Sequence, residues 1–125
     1  MTRLILISYK DLIVWQKSIK LVTEIYLLTS KFPKSELFGI VSQMRRAVVS
    51  IPSNIAEGYG RKTHIGYNNG CLIAYGSALE LETQIVIAKE LKFANLEDFI
   101  KVDLLLNEIL RMLNKMTGPM KYTSH

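Results

Sequence analysis

Six apolar residues, Leu37, Val41, Met44, Val48, Ile51 and Ile55, recur at spacings of three and four, and their phase passes through Pro52 without slipping. Proline removes a backbone donor and frees the carbonyl four residues back, here that of Val48. A break would reset the phase, whereas a kink keeps both halves on one apolar face, so the pattern predicts one bent helix over 36–58. Three further segments carry the same periodicity. Residues 10–31 hold Leu12, Trp15, Ile19, Val22, Tyr26 and Thr29. Residues 64–92 hold Tyr67, Cys71, Ala74, Ala78, Leu81, Ile85 and Ala88, and residues 95–116 hold Phe99, Leu106, Leu110 and Leu113.

The punctuation between these segments is that of helix ends. Lys31-Phe32-Pro33 stops the first, and Ser35 is a candidate cap for the second. Gly58 and Gly60 are expected to take positive φ and turn the chain. Thr63 is placed to cap the third helix, whose Gly66, Gly70 and Gly76 each cost about 1 kcal/mol relative to alanine, so its first turns are expected to fray. Asn95 is placed to cap the fourth, with Glu97 and Asp98 complementing the helix dipole, and Thr117-Gly118-Pro119 stops it. Four helices joined by short turns predict an all-α, antiparallel up-down-up-down four-helix bundle, with a proline-kinked second helix, as a single domain over 1–125.

Composition narrows the class of protein. Hydrophobic residues at 49% and charged residues at 22% exclude a disordered chain, and apolar runs interrupted by polar residues argue against a membrane span. The opening MTRLILISYKDL has no small-residue cleavage site and is not read as a secretion signal. The single cysteine, Cys71, has no internal partner, so a reducing cytoplasmic location is expected. A net charge of +5 favours polyanionic partners.

The first and fourth segments carry a second apolar stripe each: Val14, Leu21, Ile25 and Leu28 in one, Val102, Leu105, Ile109, Met112 and Met116 in the other. Apolar residues around most of a helix predict burial against another molecule, and hence a homo-oligomer. The alternative is that Lys and Arg stems cover this surface.

Chemistry-bearing constellations are absent from the sequence. His64 and His125 are the only histidines, neither in a metal-ligand spacing, so no metal and no cofactor is expected. Gly60-Arg61-Lys62-Thr63 lacks the full phosphate-loop spacing and follows a helix instead of a strand. Glu80 and Glu82 point apart on a helix and make no acid–base pair; Glu82 is expected to pair with Arg45. An enzyme is not expected. Basic residues are more telling: Arg45-Arg46 and Arg61-Lys62 lie at opposite ends of the kinked stretch 45–62, about 24 Å apart at the helical rise. Lys17 and Lys20, Lys89 and Lys92, and Arg111 and Lys115 each share a helix face. Repeated around an oligomer, such pairs form a basic band. Tyr59 and Tyr67 are open to two readings, stacking on bases or packing.

The blocks Tyr9-Lys10-Asp11-Leu12-Ile13-Val14-Trp15-Gln16-Lys17, Gln43-Met44-Arg45-Arg46-Ala47, Ser50-Ile51-Pro52-Ser53-Asn54-Ile55-Ala56-Glu57-Gly58 and Gly76-Ser77-Ala78-Leu79-Glu80-Leu81-Glu82-Thr83-Gln84 carry a resemblance. From about residue 9 to 116 the chain resembles the bacterial four-helix-bundle family named after the protein encoded in 23S rRNA intervening sequences. The resemblance implies a ring-like homopentamer. It also implies kinship with the accessory variability proteins of diversity-generating retroelements, basic pentameric bundles that bind nucleic acid and work with a reverse transcriptase, so a partner of that kind is a further expectation. Where the family commonly shows an acidic residue and aromatics early in helix three, this chain has Gly66 and Gly70.

Together these readings predict a non-enzymatic, homo-oligomeric basic bundle that binds RNA or other nucleic acid through phosphates. Arg45, Arg46, Arg61 and Lys62 are the first candidate contacts, with Lys17 and Lys20 next. The rival is a structural or adaptor protein that recruits a protein partner through apolar surfaces.

Overall fold

A computed structural model describes residues 8–118. The apolar opening run, Pro119 and His125 lie outside them. Four helices make up the bundle: α1 (Ile13–Thr29), α2 (Ser42–Gly60), α3 (His64–Glu90) and α4 (Ile100–Thr117). No strand occurs among the described residues. Side-chain links join neighbouring helices, and the two between α1 and the α4 side run in opposite directions along the chain, as an antiparallel pair requires. Lys17 meets Glu108 and Lys31 meets Asp98 between α1 and the α4 side. Ser50 meets Ser77 between α2 and α3, and Lys89 meets Asp103 between α3 and α4.

The core is a continuous apolar column. Met44, Val48, Ile51 and Ile55 from α2 face Cys71, Ala74, Ala78, Leu81 and Ile85 from α3, and all are buried. From Val41 to Ile55 and from Cys71 to Ala88 the two seams lie where their periodicity places them, whereas Leu37 is exposed, and α2 runs through a buried Pro52 as one helix. On α1 the phase is the other one. Val14, Leu21, Ile25 and Leu28 are buried, while Ile19 and Tyr26 are exposed. The stripe taken as secondary is the core stripe, and Trp15 and Val22 only flank it. Helix α4 mixes its two stripes, burying Val102, Leu106, Ile109 and Leu113. Phe32, Phe93 and Phe99 close one end of the bundle, with ring centroids 5.6 and 6.2 Å from Phe32.

The helix ends correct two expectations. Ser35 does not cap α2: a tight turn at Lys34–Glu36 starts from Pro33, and a wider turn at Leu37–Val41 follows before α2 begins at Ser42. The cause is Gly39, whose φ of −109° and ψ of −116° interrupt the helical ladder. Gly58 and Gly60 do not turn the chain either. They remain helical, and the reversal falls on Lys62, at φ 59°. Helix α3 runs from His64 through Gly66 and Gly70. A Cβ at Gly70 would lie 2.5 Å from the Asn54 carbonyl oxygen and 2.6 Å from Gly58 Cα, so Gly58 and Gly70 are where the α2 and α3 backbones touch. The Thr63 hydroxyl accepts from Gly66 N–H at 3.0 Å, capping α3 as expected. At α4, Asp98 Oδ2 accepts from Asn95 N–H at 3.1 Å, completing a capping box with the Asn95 side chain.

Candidate nucleic-acid interface

Arg45 leaves α2 toward α1, away from Glu82. Its Nε donates to Thr29 Oγ1 at 3.0 Å, and its guanidinium lies 4.5 Å from the Tyr26 ring centroid. The expected Glu82 pair is thus replaced by a hydroxyl and a ring, because the side chain faces α1; Glu82 borders a groove between α3 and α4 instead. Thr29 can hold Arg45 because its own hydroxyl proton is directed at the Ile25 carbonyl, 2.7 Å away, leaving an oxygen lone pair for the arginine. Arg46, one residue on, is exposed and makes no ion pair among the described residues. Both arginines border a groove of about 510 Å³ whose other walls are Tyr26, Leu37, Phe38, Val41, Ser42 and Val49.

The remaining candidate cations lie elsewhere. At the far end of α2, Arg61 pairs with Glu57 at 3.0 Å, and Lys62 is exposed at the turn into α3. On the α1/α4 side, Lys17 pairs with Glu108 at 2.6 Å. That hydrogen bond, with the charge of Lys17 and then of Arg111 and Lys20, holds the Glu108 carboxyl below the usual range. Lys20 shares a groove with Lys101 and Glu24. The six candidate residues therefore fall in three places on one chain, and Arg45 with Arg46 are the two that share a groove lined by no carboxylate.

Acidic neighbours separate the grooves chemically. Lys89 shares its lining with Glu82 and Asp103, Lys20 and Lys101 with Glu24, Arg61 with Glu57, and Lys115 with Asp11. The Arg45/Arg46 groove has no carboxylate in its lining. Of its aromatic walls, Tyr26 falls in the seam expected to be buried on the first helix, and Phe38 belongs to no seam. Phe38 is 94% exposed, beyond any other large apolar residue among those described. The available signal was Phe38 itself, an aromatic standing off the Leu37–Val41 seam. Tyr59 and Tyr67 pack edge to face at 6.0 Å, and burial, followed by the neighbouring Cys71, pushes the Tyr67 hydroxyl up to about 12.

The family model described as 23S rRNA-intervening sequence protein matches residues 10–115. The chain belongs to this family. A crystal structure of a protein of unknown function from the S23 ribosomal protein family of Bacteroides thetaiotaomicron VPI-5482 shares the fold, with a TM-score of 0.78 at 21% identity, covering 86% of this chain and all of that one. No curated protein matches. The family-like block from Ser50 to Gly58 runs along the α2/α3 contact: Asn54 Nδ2 donates to the Ser50 carbonyl at 2.8 Å and to its Oγ at 2.9 Å, and Gly58 meets Gly70. Those residues hold two helices together, whereas Arg45 and Arg46 of the neighbouring block face the groove.

One surface goes beyond the sequence reading. From His64 to Leu79, α3 carries no Asp, Glu, Lys or Arg, and by length and composition alone it could cross a bilayer. Its inward face packs into the bundle. On the opposite face Ile65, Leu72, Leu79 and Val86 stand at strict seven-residue spacing, 77%, 46%, 41% and 52% exposed. The excess apolar surface assigned from sequence to the first and fourth helices is thus also, and more continuously, a property of the third.

Proposed function

We propose that this protein is a non-enzymatic, self-assembling bundle that binds nucleic acid through phosphate contacts. The observation that carries the proposal is the Arg45/Arg46 groove, two arginines in a lining that contains no carboxylate, on a chain of net charge +5. Arginine presents a planar fork that matches phosphate oxygens, and Arg45 is already oriented by Thr29 and Tyr26, so little side-chain freedom is lost on binding. The α3 stripe supplies the assembly. Four apolar residues repeating every seven suit a second helix with the same repeat, and an identical chain brings one. Assembly would repeat the arginine pair in space and raise avidity without new contacts. Family resemblance favours a pentamer, and a reverse-transcriptase-like partner is part of the same proposal.

A protein-recruiting adaptor is the second reading, favoured by the exposed Phe38 and the α3 stripe. Electrophoretic retardation of RNA and DNA fragments across a salt series separates the two. The phosphate reading expects affinity to fall linearly with salt on logarithmic axes, and R45E/R46E to weaken binding about tenfold or more. R61E, which removes a cation already paired with Glu57, is expected to change it by about twofold at most. Absence of retardation by the wild-type protein at low salt would favour the adaptor.

A further inference from the structure

We propose, building on the nucleic-acid reading of the same groove, that its ligand is single-stranded and that one unpaired base stacks on Phe38. Three features of the groove point this way together. Phe38 carries a ring almost wholly in water, on a turn widened at Gly39 instead of a regular helix. Covering so exposed a ring releases more water from apolar surface than covering any other large apolar side chain described, so a ligand with a flat apolar face gains most by meeting it here. Arg46 and the outer edge of Arg45 border the same groove without an acid, which sets a negatively charged backbone beside the ring. Ser42 adds a hydroxyl to the lining, and Val41 and Val49 supply an apolar floor.

The charge balance selects the ligand. An acid-free arginine pair calls for an anion, and an exposed phenyl face calls for a flat, apolar surface. A nucleotide presents both in one unit, and the groove's size of about 510 Å³ lies within the range of small-ligand sites. In a duplex the base faces are already stacked on one another and only edges reach the grooves, so the ring has nothing flat to meet. In a single strand each base has a free face, and aromatic stacking of this kind tolerates any sequence. Tyr26 is not free for this role, because the Arg45 guanidinium covers its ring at 4.5 Å. That leaves Phe38 as the stacking platform and Arg45 and Arg46 as the phosphate clamp.

The test uses the full chain and fluorescence anisotropy, with a labelled single-stranded RNA of about ten nucleotides and a duplex of equal length at equal salt. The single strand is expected to bind more tightly. F38A is expected to weaken single-strand binding roughly tenfold and duplex binding less than about twofold, while F38Y keeps the affinity. A 2-aminopurine placed in the strand is expected to lose fluorescence on binding the wild type and not F38A. Equal single-strand affinity for F38A and wild type, with R45E/R46E weakened, would overturn the stacked base and leave the phosphate reading standing. No binding of either nucleic acid at low salt would remove both. Light scattering on F38A completes the set, since a smaller assembly would make Phe38 a contact between copies and overturn the proposal.

Discussion

The inward face of α3 is built largely from glycine and alanine, its outward face from isoleucine, leucine and valine. Inward, Gly66, Gly70, Ala74, Ala78 and Ala88 are buried, and at Gly70 the backbone of α2 comes close enough that no Cβ fits. Outward, Ile65, Leu72, Leu79 and Val86 project from the bundle, and a Cβ at Gly76 would find nothing within 4 Å. Glycine in one helix thus has opposite meanings six residues apart. At Gly70 the missing side chain is what permits the fold, and at Gly76 it is a local weakness of the helix.

Substitution can break this contrast directly. G70A has the largest expected effect. Helix propensity alone would add about 1 kcal/mol of stability, but a methyl 2.5 Å from the Asn54 carbonyl oxygen must push two backbones apart. A net loss of about 2 kcal/mol is expected in urea unfolding, and a gain would refute the close approach. Next comes L72E/L79E, two exposed positions on the outward stripe. Stability at high dilution is expected to stay within about 0.5 kcal/mol of the wild type, while light scattering shows the assembly reduced to single chains. An unchanged mass would remove α3 from the interface. The smallest effect is expected for G76A, a gain of about 1 kcal/mol in the same unfolding experiment. If outward helices approach closely at Gly76, this variant also assembles more weakly than the wild type.

Periodicity made the seam of α2 legible because no rival register matches its one buried stripe, and that of α3 because its alternating spacings of four and three run unbroken from Tyr67 to Ala88. On α1 it could not choose. Leu12, Trp15, Ile19, Val22 and Tyr26 repeat as well as Val14, Leu21, Ile25 and Leu28, and only the neighbouring helices decide which set is covered. The glycines were visible but not their purpose, since a turn glycine and a crossing glycine differ in a partner 12 residues away that sequence does not reveal. A lysine in the left-handed region, as at Lys62, gives no local signal at all. Among the candidate contacts, the positions of Arg45 and Arg46 were legible as charges. Their surroundings were not, because Thr29 and Tyr26 reach Arg45 from another helix. Charge counting likewise treats Arg61 and Arg46 alike, although one faces Glu57 and the other has no such neighbour.

Cys71 follows Gly70 directly, and burial both hides its thiol and pushes its pKa up. Reagents that alkylate thiols reach it only when the helices around it part. Its labelling speed under native conditions is therefore a clock for transient opening at that crossing, wound by the protein's own sequence and readable without adding a probe.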